Sequence, residues 1–183
     1  MKILKRVIIV LAVIIAIPLI VALFVKKEYA VEREITISRP GNEVFDYIKY
    51  LKNQDNFSVW ANRDPNMKKS FKGTDGTVGC IAYWESDNKE VGKGEQEIKK
   101  IIEGSRIDTE IRFKIPFEST DDAYMITEGK EANSTRVKWG FKGSFPYPMN
   151  LMTLFIDMDK ELGKDLEQGL ENLRIILEKD SGI

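Results

Sequence analysis

From residue 148 to residue 179 the chain carries one apolar pattern that no proline interrupts after Pro148. Leu151, Leu154, Phe155, Met158, Leu162, Leu166, Leu170, Leu173, Ile176 and Leu177 follow one another mostly in steps of three or four residues, which is helical spacing. Some 30 residues at about 1.5 Å each make a helix roughly 45 Å long. A small domain does not need that length for ordinary packing, so something broad must cover the apolar stripe. Residues 149–156 are apolar nearly all round, which predicts that this end is enclosed by sheet, short helices and Trp60. Beyond Met158 the apolar residues narrow to a stripe and charges take the other face.

The middle of the chain supplies the cover. Residues 28–38 alternate, with Val31, Arg33, Ile35 and Ile37 on one face and Glu32, Glu34 and Thr36 on the other, the pattern of a half-buried strand. Ser38 is placed to cap a helix with Pro40 in its first turn, and Val44, Tyr47, Ile48 and Leu51 then recur at helical spacing. A second short helix carries Phe57 and ends near Trp60. Six strands follow, at 67–72, 77–85, 92–102, 106–115, 123–132 and 135–143, with Asp75-Gly76, Glu103-Gly104-Ser105, residues 119–122 and Asn133-Ser134 as turns. The connections are short, so neighbouring strands should be antiparallel. The strands alternate apolar with charged, so one face should be solvated and the other covered.

Residues 7–25 are nineteen residues without a charge. Their helix would span roughly 28 Å, about one hydrocarbon core, and Pro18 is tolerable inside a membrane helix. The run exceeds the usual ~7–15 residues of a signal-peptide core, and positions two before Ala22 and Ala30 hold Ile20 and Glu28. The reading is therefore an uncleaved anchor over 1–27 and a folded domain over 28–183. Lys2, Lys5 and Arg6 precede the span, while Lys26, Lys27, Arg33 and Arg39 follow it. The compact leading cluster favours a cytoplasmic amino end and an extracytoplasmic domain.

Without Lys2, Lys5 and Arg6 the chain keeps 25 basic against 29 acidic residues, a net −4. That argues against binding DNA, or an anionic lipid surface, by charge alone. There is no histidine, which removes the commonest general base and metal ligand. The single cysteine, Cys80, excludes an internal disulfide and a Cys-rich zinc site, and its strand-like setting reads as a small buried residue. No phosphate loop, dinucleotide fingerprint or catalytic triad is present. No metal, cofactor or catalytic residue is expected.

Three features carry a family resemblance over residues 29–179. They are the opening VEREITISRPGNEVFDYI with Val44-Phe45, Trp60 closing the second short helix, and the element order with its terminal helix. The chain resembles the START/Bet v 1-like (SRPBCC) superfamily, and within it the polyketide cyclase/dehydrase-like bacterial proteins. The resemblance implies an α+β helix-grip: a seven-stranded antiparallel sheet curled around the long C-terminal helix, two short helices after strand 1, and an apolar cavity between sheet and helix. The N-terminal membrane span departs from the usual soluble members.

Phe57, Trp60, Trp84, Phe113, Tyr124, Trp139, Phe141 and Phe145 lie on elements that would border such a cavity. They read as a pocket for an apolar or flat ligand, or as plain core. Gly163 and Gly169 flank the stripe of the long helix, marking either close approach of helix to sheet or room for a ligand. Gln96, Thr109 and Arg33 are the polar candidates on apolar faces. A turn at Asn133-Ser134 pairs Glu128 with Trp139, and a slip of one brings Thr127 there instead. An inward Glu128 would have a raised pKa and acid–base capacity, whereas an outward one is a rim charge. Glu95 and Glu97 share a strand face with Lys99 and read as solvated.

The expected ligand-binding set is thus Phe57, Trp60, Trp84, Gln96, Phe113, Tyr124, Glu128, Trp139, Phe141 and Gly163. The expected function is membrane-anchored binding of a hydrophobic small molecule or lipid, with no nucleic-acid partner. The alternatives are a polyketide cyclase/dehydratase-like enzyme and an interaction module whose cavity is filled by its own side chains.

Overall fold

The computed structural model describes residues 2–179, so Met1 and the last four residues of the expected 28–183 domain lie outside the described residues. Helix α1 is Lys2–Phe24 and strand β1 is Glu28–Ile37. Three short helices follow, α2 Gly41–Ile48, α3 Leu51–Phe57 and α4 Val59–Arg63. Strands β2 Lys68–Lys72, β3 Ile81–Glu85, β4 Lys93–Ile102, β5 Arg106–Ile115, β6 Ser119–Glu131 and β7 Ser134–Ser144 come next. A 3-10 helix, Met149–Leu154, and helix α5, Met158–Lys179, close the chain.

The seven strands form one sheet in the order β1-β7-β6-β5-β4-β3-β2, antiparallel throughout. β2 to β7 are therefore a meander, and β1 returns to pair with the last strand. The alternation in sequence is obeyed: Val31 and Ile37 of β1, and Val137, Trp139 and Phe141 of β7, are buried on the concave face. On the convex face Arg112 gathers the carboxylates of Glu95, Glu97 and Glu110, while Lys99 pairs with Glu97 and Glu110. α5 lays Gly163, Leu166, Gly169, Leu170, Leu173 and Leu177 into the concave face, mainly along β1 with a smaller contact to β7. This is the expected helix-grip. Cys80 is fully buried, and burial, then the nearby Asp75 carboxylate, pushes its thiol above the ordinary value.

Several local expectations change. The long apolar run is two elements, not one helix. Asp157 ends the first and starts the second: its carbonyl accepts from Glu161 N–H and its Oδ1 from Lys160 N–H at 3.2 Å, an N-cap arrangement. The 149–156 end is not enclosed, for Leu154 is 56% and Phe155 86% exposed. Ser58 adopts extended backbone (φ −66°, ψ 129°) and splits the second short helix into α3 and α4, with Trp60 in the latter. Ser38 does not cap α2. Its N–H donates to Glu178, and the helix starts after Pro40 without a side-chain cap.

Asp75 does not close a tight hairpin either. Its two carboxylate oxygens accept from Leu51 and Lys52 N–H, at 2.8 and 3.1 Å, so it satisfies the free amides at the start of α3 and holds residues 73–80 as a longer loop. Residues 119–122 are strand, not turn, and the β5–β6 turn lies at 116–118.

α1 is 23 residues long with a peak mean hydropathy of 3.4, sufficient to cross a membrane. Among its residues only Ala22 is buried.

The two helix glycines mark close approach. A Cβ on Gly163 would meet the Arg33 guanidinium at 2.0 Å, and one on Gly169 would meet the Trp139 ring at 2.7 Å. Neither opens room for a ligand. For Gly169→Ala, helix propensity favours Ala by up to ~1 kcal/mol, but overpacking a fixed ring costs about 1–3 kcal/mol. The expected net effect is a loss of about 1 kcal/mol in denaturant unfolding. Unchanged or increased stability would contradict this seating of Trp139.

Candidate ligand cavity

Strand register defines the floor of the site. Phe71, Ala82, Gln96 and Ile111 face one another in a row across β2, β3, β4 and β5, and Asp121 of β6 continues that row beside the cavity. The small side chains in the floor, Ala82 and Ala123, leave depth that bulkier residues would fill. Opposite them stand Leu162 and Leu166 of α5, with Leu51, Ser58, Trp60 and Ala61 of the short helices. Between floor and helices lies a partly open cavity of about 320 Å³, at the lower end of the ~300–1,000 Å³ typical of small-molecule sites.

Aromatic pairs hold the walls. Trp84 meets Phe113 edge-on, with ring centres 5.7 Å apart. Its indole N–H donates to the Val91 carbonyl, and it lies over Gly94, where a Cβ would come within 2.5 Å of the ring. Trp139 is edge-on to Phe57 at 5.5 Å and to Trp60 at 6.2 Å. Such pairs add about 0.5–1.5 kcal/mol each beyond area burial, which favours these ring positions. Gln96 is the polar group of the floor. Its Nε2 donates to Thr109 Oγ1 at 3.1 Å, and that hydroxyl donates to the Ala123 carbonyl. Charges sit at the rim, where Lys69 pairs with Asp55 at 2.8 Å. Among the described residues, no cluster of three or more His, Cys, Asp or Glu is arranged to hold a metal.

Of the ten expected residues, Trp60, Trp84, Gln96, Phe113, Trp139 and Phe141 line this cavity. The other four stand elsewhere. Phe57 is fully buried behind Trp139. Gly163 is backed by Arg33, whose two terminal nitrogens each donate to Asp159 at 2.9 Å. Tyr124 and Glu128 lie on the convex face, because Ala123, Met125 and Thr127 take the concave positions of β6. Tyr124 covers Gly140 there, between the cations of Arg106 and Lys142. Burial and the Glu32 carboxylate push its phenol up to about 12. Trp139 is opposite Met125, neither Glu128 nor Thr127, and Glu128, opposite Arg136, forms ion pairs with Lys138 and Arg136. Phe145 packs on Tyr29 rather than on the cavity.

Two residues beside the cavity went unread in the sequence, Asp121 and Tyr29. Asp121 is buried next to Ile111 on the floor row. Its Oδ2 accepts from Ser119 Oγ, while Oδ1 has no hydrogen-bond partner. Both Oδ1 and the Tyr29 hydroxyl crowd the face of Gly143, where a Cβ would meet them at 2.6 and 2.4 Å. Burial pushes the Asp121 carboxyl above its ordinary range, tempered by the Ser119 hydroxyl and then by the Ser144 backbone amide. Burial, then the Asp121 charge, raises the Tyr29 phenol as well.

No family model matches the chain, and no curated protein sequence does. Solved structures do. A protein from Nitrosospira multiformis superposes with a TM-score of 0.58 at 15% identity, over 80% of this chain and 94% of that one. Ara h 8.0201 superposes with a TM-score of 0.52 at 13% identity, over 80% and 92%. The fold is a Bet v 1-like helix-grip. DynU16, from the dynemicin biosynthetic locus, matches with a TM-score of 0.55 at 13% identity, over 81% of this chain and 47% of that one. At these identities the likeness concerns the fold.

The Asp121 carboxyl gives a pH test. A folded-state pKa above the unfolded one contributes stability below the unfolded value, near 3.8, and that contribution is lost as pH rises through the folded value. At neutral pH the charged form is therefore a cost. Asp121→Asn is expected to melt at a higher temperature than the parent at pH 7, with the gain vanishing near pH 4. Equal melting at pH 7 would show that the carboxylate is adequately solvated.

Proposed function

We propose that this chain is a membrane-anchored binder of a hydrophobic small molecule or lipid, held between the sheet and α5. The observation that carries this reading is the cavity itself. Its walls are edge-paired aromatics, its floor offers one hydrogen-bonded carboxamide, and its charges are at the rim. Such a surface desolvates an apolar ligand at little polar cost. The remaining space speaks against a module whose own side chains fill the grip.

The enzyme reading asks for Glu128, Gln96 and Arg33 around one cavity, and these three are not gathered. Glu128 is convex and paired, Arg33 is held by Asp159 beside Gly163, and only Gln96 of those three reaches the cavity. α1 supplies the anchor in this proposal: its exposed apolar surface suits a bilayer, where such ligands partition. The Lys2, Lys5 and Arg6 cluster favours a cytoplasmic amino end, with the domain across the membrane.

Native mass spectrometry of delipidated full-length protein, offered a fatty acid, a phospholipid and a flat aromatic compound, tests the reading. The expected result is a one-to-one adduct with at least one class, abolished in Ala82→Trp, whose new side chain occupies the floor. The variant's melting curve verifies that it still folds. No adduct in the parent, or an undiminished adduct in folded Ala82→Trp, would overturn the cavity as the binding site.

A further inference from the structure

α1 is joined to the domain by more than the chain. The fully buried Asn150, in the 3-10 helix, donates from Nδ2 to the Ala22 carbonyl at 2.7 Å and to the Val25 carbonyl at 2.9 Å. The Ala22 carbonyl belongs to the final turn of α1 and the Val25 carbonyl follows the helix end, where helical partners run out. An unsatisfied carbonyl at the edge of a hydrocarbon layer is costly, so Asn150 acts as a C-cap delivered from the other end of the sequence. Beneath it Ala22 is fully covered. β1 begins at Glu28, and Phe145 N–H donates to the Lys27 carbonyl at 2.9 Å. The link between helix and domain therefore has no slack.

This clamp sets the height of the 3-10 segment. It lies beside the last apolar turn of α1, level with Leu23 and Phe24, which are 66% and 86% exposed. The segment presents Tyr147, Met149, Leu154 and Phe155 to the outside, with Phe155 as exposed as Phe24. Residues 149–156 have the composition of a core, yet Met149, Leu154 and Phe155 are exposed while Leu151, Met152 and Ile156 are half-buried. Exposed apolar side chains this close together in sequence point to an interaction surface, and aromatic groups are favoured at the membrane–water boundary.

We propose that Tyr147, Met149, Leu154 and Phe155 insert into the lipid bilayer beside the end of α1. The domain then lies on the membrane in one fixed orientation and does not swing on a tether. The proposal rests on α1 crossing the bilayer. Its occupant is lipid because the patch continues the apolar surface of α1 at the same level, and Asn150 holds it there. The β5–β6 turn, with Phe117 68% exposed, lies at the same end of the sheet as the start of β1. The Trp84–Phe113 end of the cavity is also at that end, since Gly94 pairs with both Trp84 and Phe113 next to the Lys93–Ile115 pair. The docked orientation turns that end toward lipid.

The test uses the full chain in phosphatidylcholine/phosphatidylglycerol vesicles, with Cys80→Ala as background. Single-cysteine variants Phe155→Cys, Leu11→Cys and Asn133→Cys each carry a nitroxide, and collision with oxygen is compared with collision with a water-soluble nickel chelate. The Leu11 site is expected deep in the bilayer. The Asn133 site, at the opposite end of the sheet, is expected in water. The Phe155 site is expected to show an oxygen-to-nickel ratio several-fold above that of Asn133. A deep Leu11 site with Phe155 freely reached by nickel, or shielded from both reagents as under a protein partner or a second copy, overturns the docking and leaves the anchor intact. A Leu11 site in water overturns the anchor itself.

Discussion

α5 covers only one side of the concave sheet. It runs along β1 and meets β7 where Trp139 sits on Gly169, and β2 to β6 extend beyond its reach. The remaining apolar floor is left to the short helices: α2 packs on β6 and β7, and α3 and α4, which are 7 and 5 residues long, stand over the rest. Elements so short cannot close down over five strands. Trp60 braces against Trp139, Asp75 ties the start of α3 to the β2–β3 loop, and Ala82 and Ala123 keep the floor low. The cavity follows from that mismatch between the width of the sheet and the size of its cover.

Charge is sorted by the same geometry. The Arg112 cluster, the Glu128 pairs and the Tyr124 cation contacts all lie on the convex face. They support an exposed sheet surface, and exposed ion pairs contribute little each. Apart from Lys69 at the rim and the buried Asp121, Arg33 is the charged exception on the concave side. A bidentate bond to Asp159 near the start of α5 and the missing side chain at Gly163 accommodate it. The concave face therefore stays apolar around the cavity, with Gln96 and the adjoining Asp121 as its polar points.

Strand number, antiparallel order and the concave residues of β1, β4, β5 and β7 were legible because each strand alternates apolar with charged side chains. Gln96, Phe113, Trp139 and Phe141 were placed by that parity. β6 was not, because it is apolar on both faces: Ala123 and Met125 point in, while Tyr124 and Ile126 point out. A register shift between Gly129 and Glu131 also moves Glu128 onto Arg136. Reading 119–122 as a turn hid Asp121, since strand and turn share its Ser, Thr and Asp composition. The long helix was overextended because 3.6-residue periodicity persists through an apolar segment that folds for another reason. Asp157, followed by the Met158–Leu162 spacing, was the available signal for a new helix start. Nothing in the local pattern around Asn150 could reveal a bond to α1 more than 120 residues away.

The central claim is that the space between sheet and short helices holds an apolar guest. A crystal structure of the full chain isolated directly from its native cells tests this most directly. The account predicts continuous non-protein density bounded by Trp60, Trp84 and Trp139 and touching Gln96. Indole rings of Trp60 and Trp84 turned inward to occupy that volume, with no space left for a guest, would contradict it.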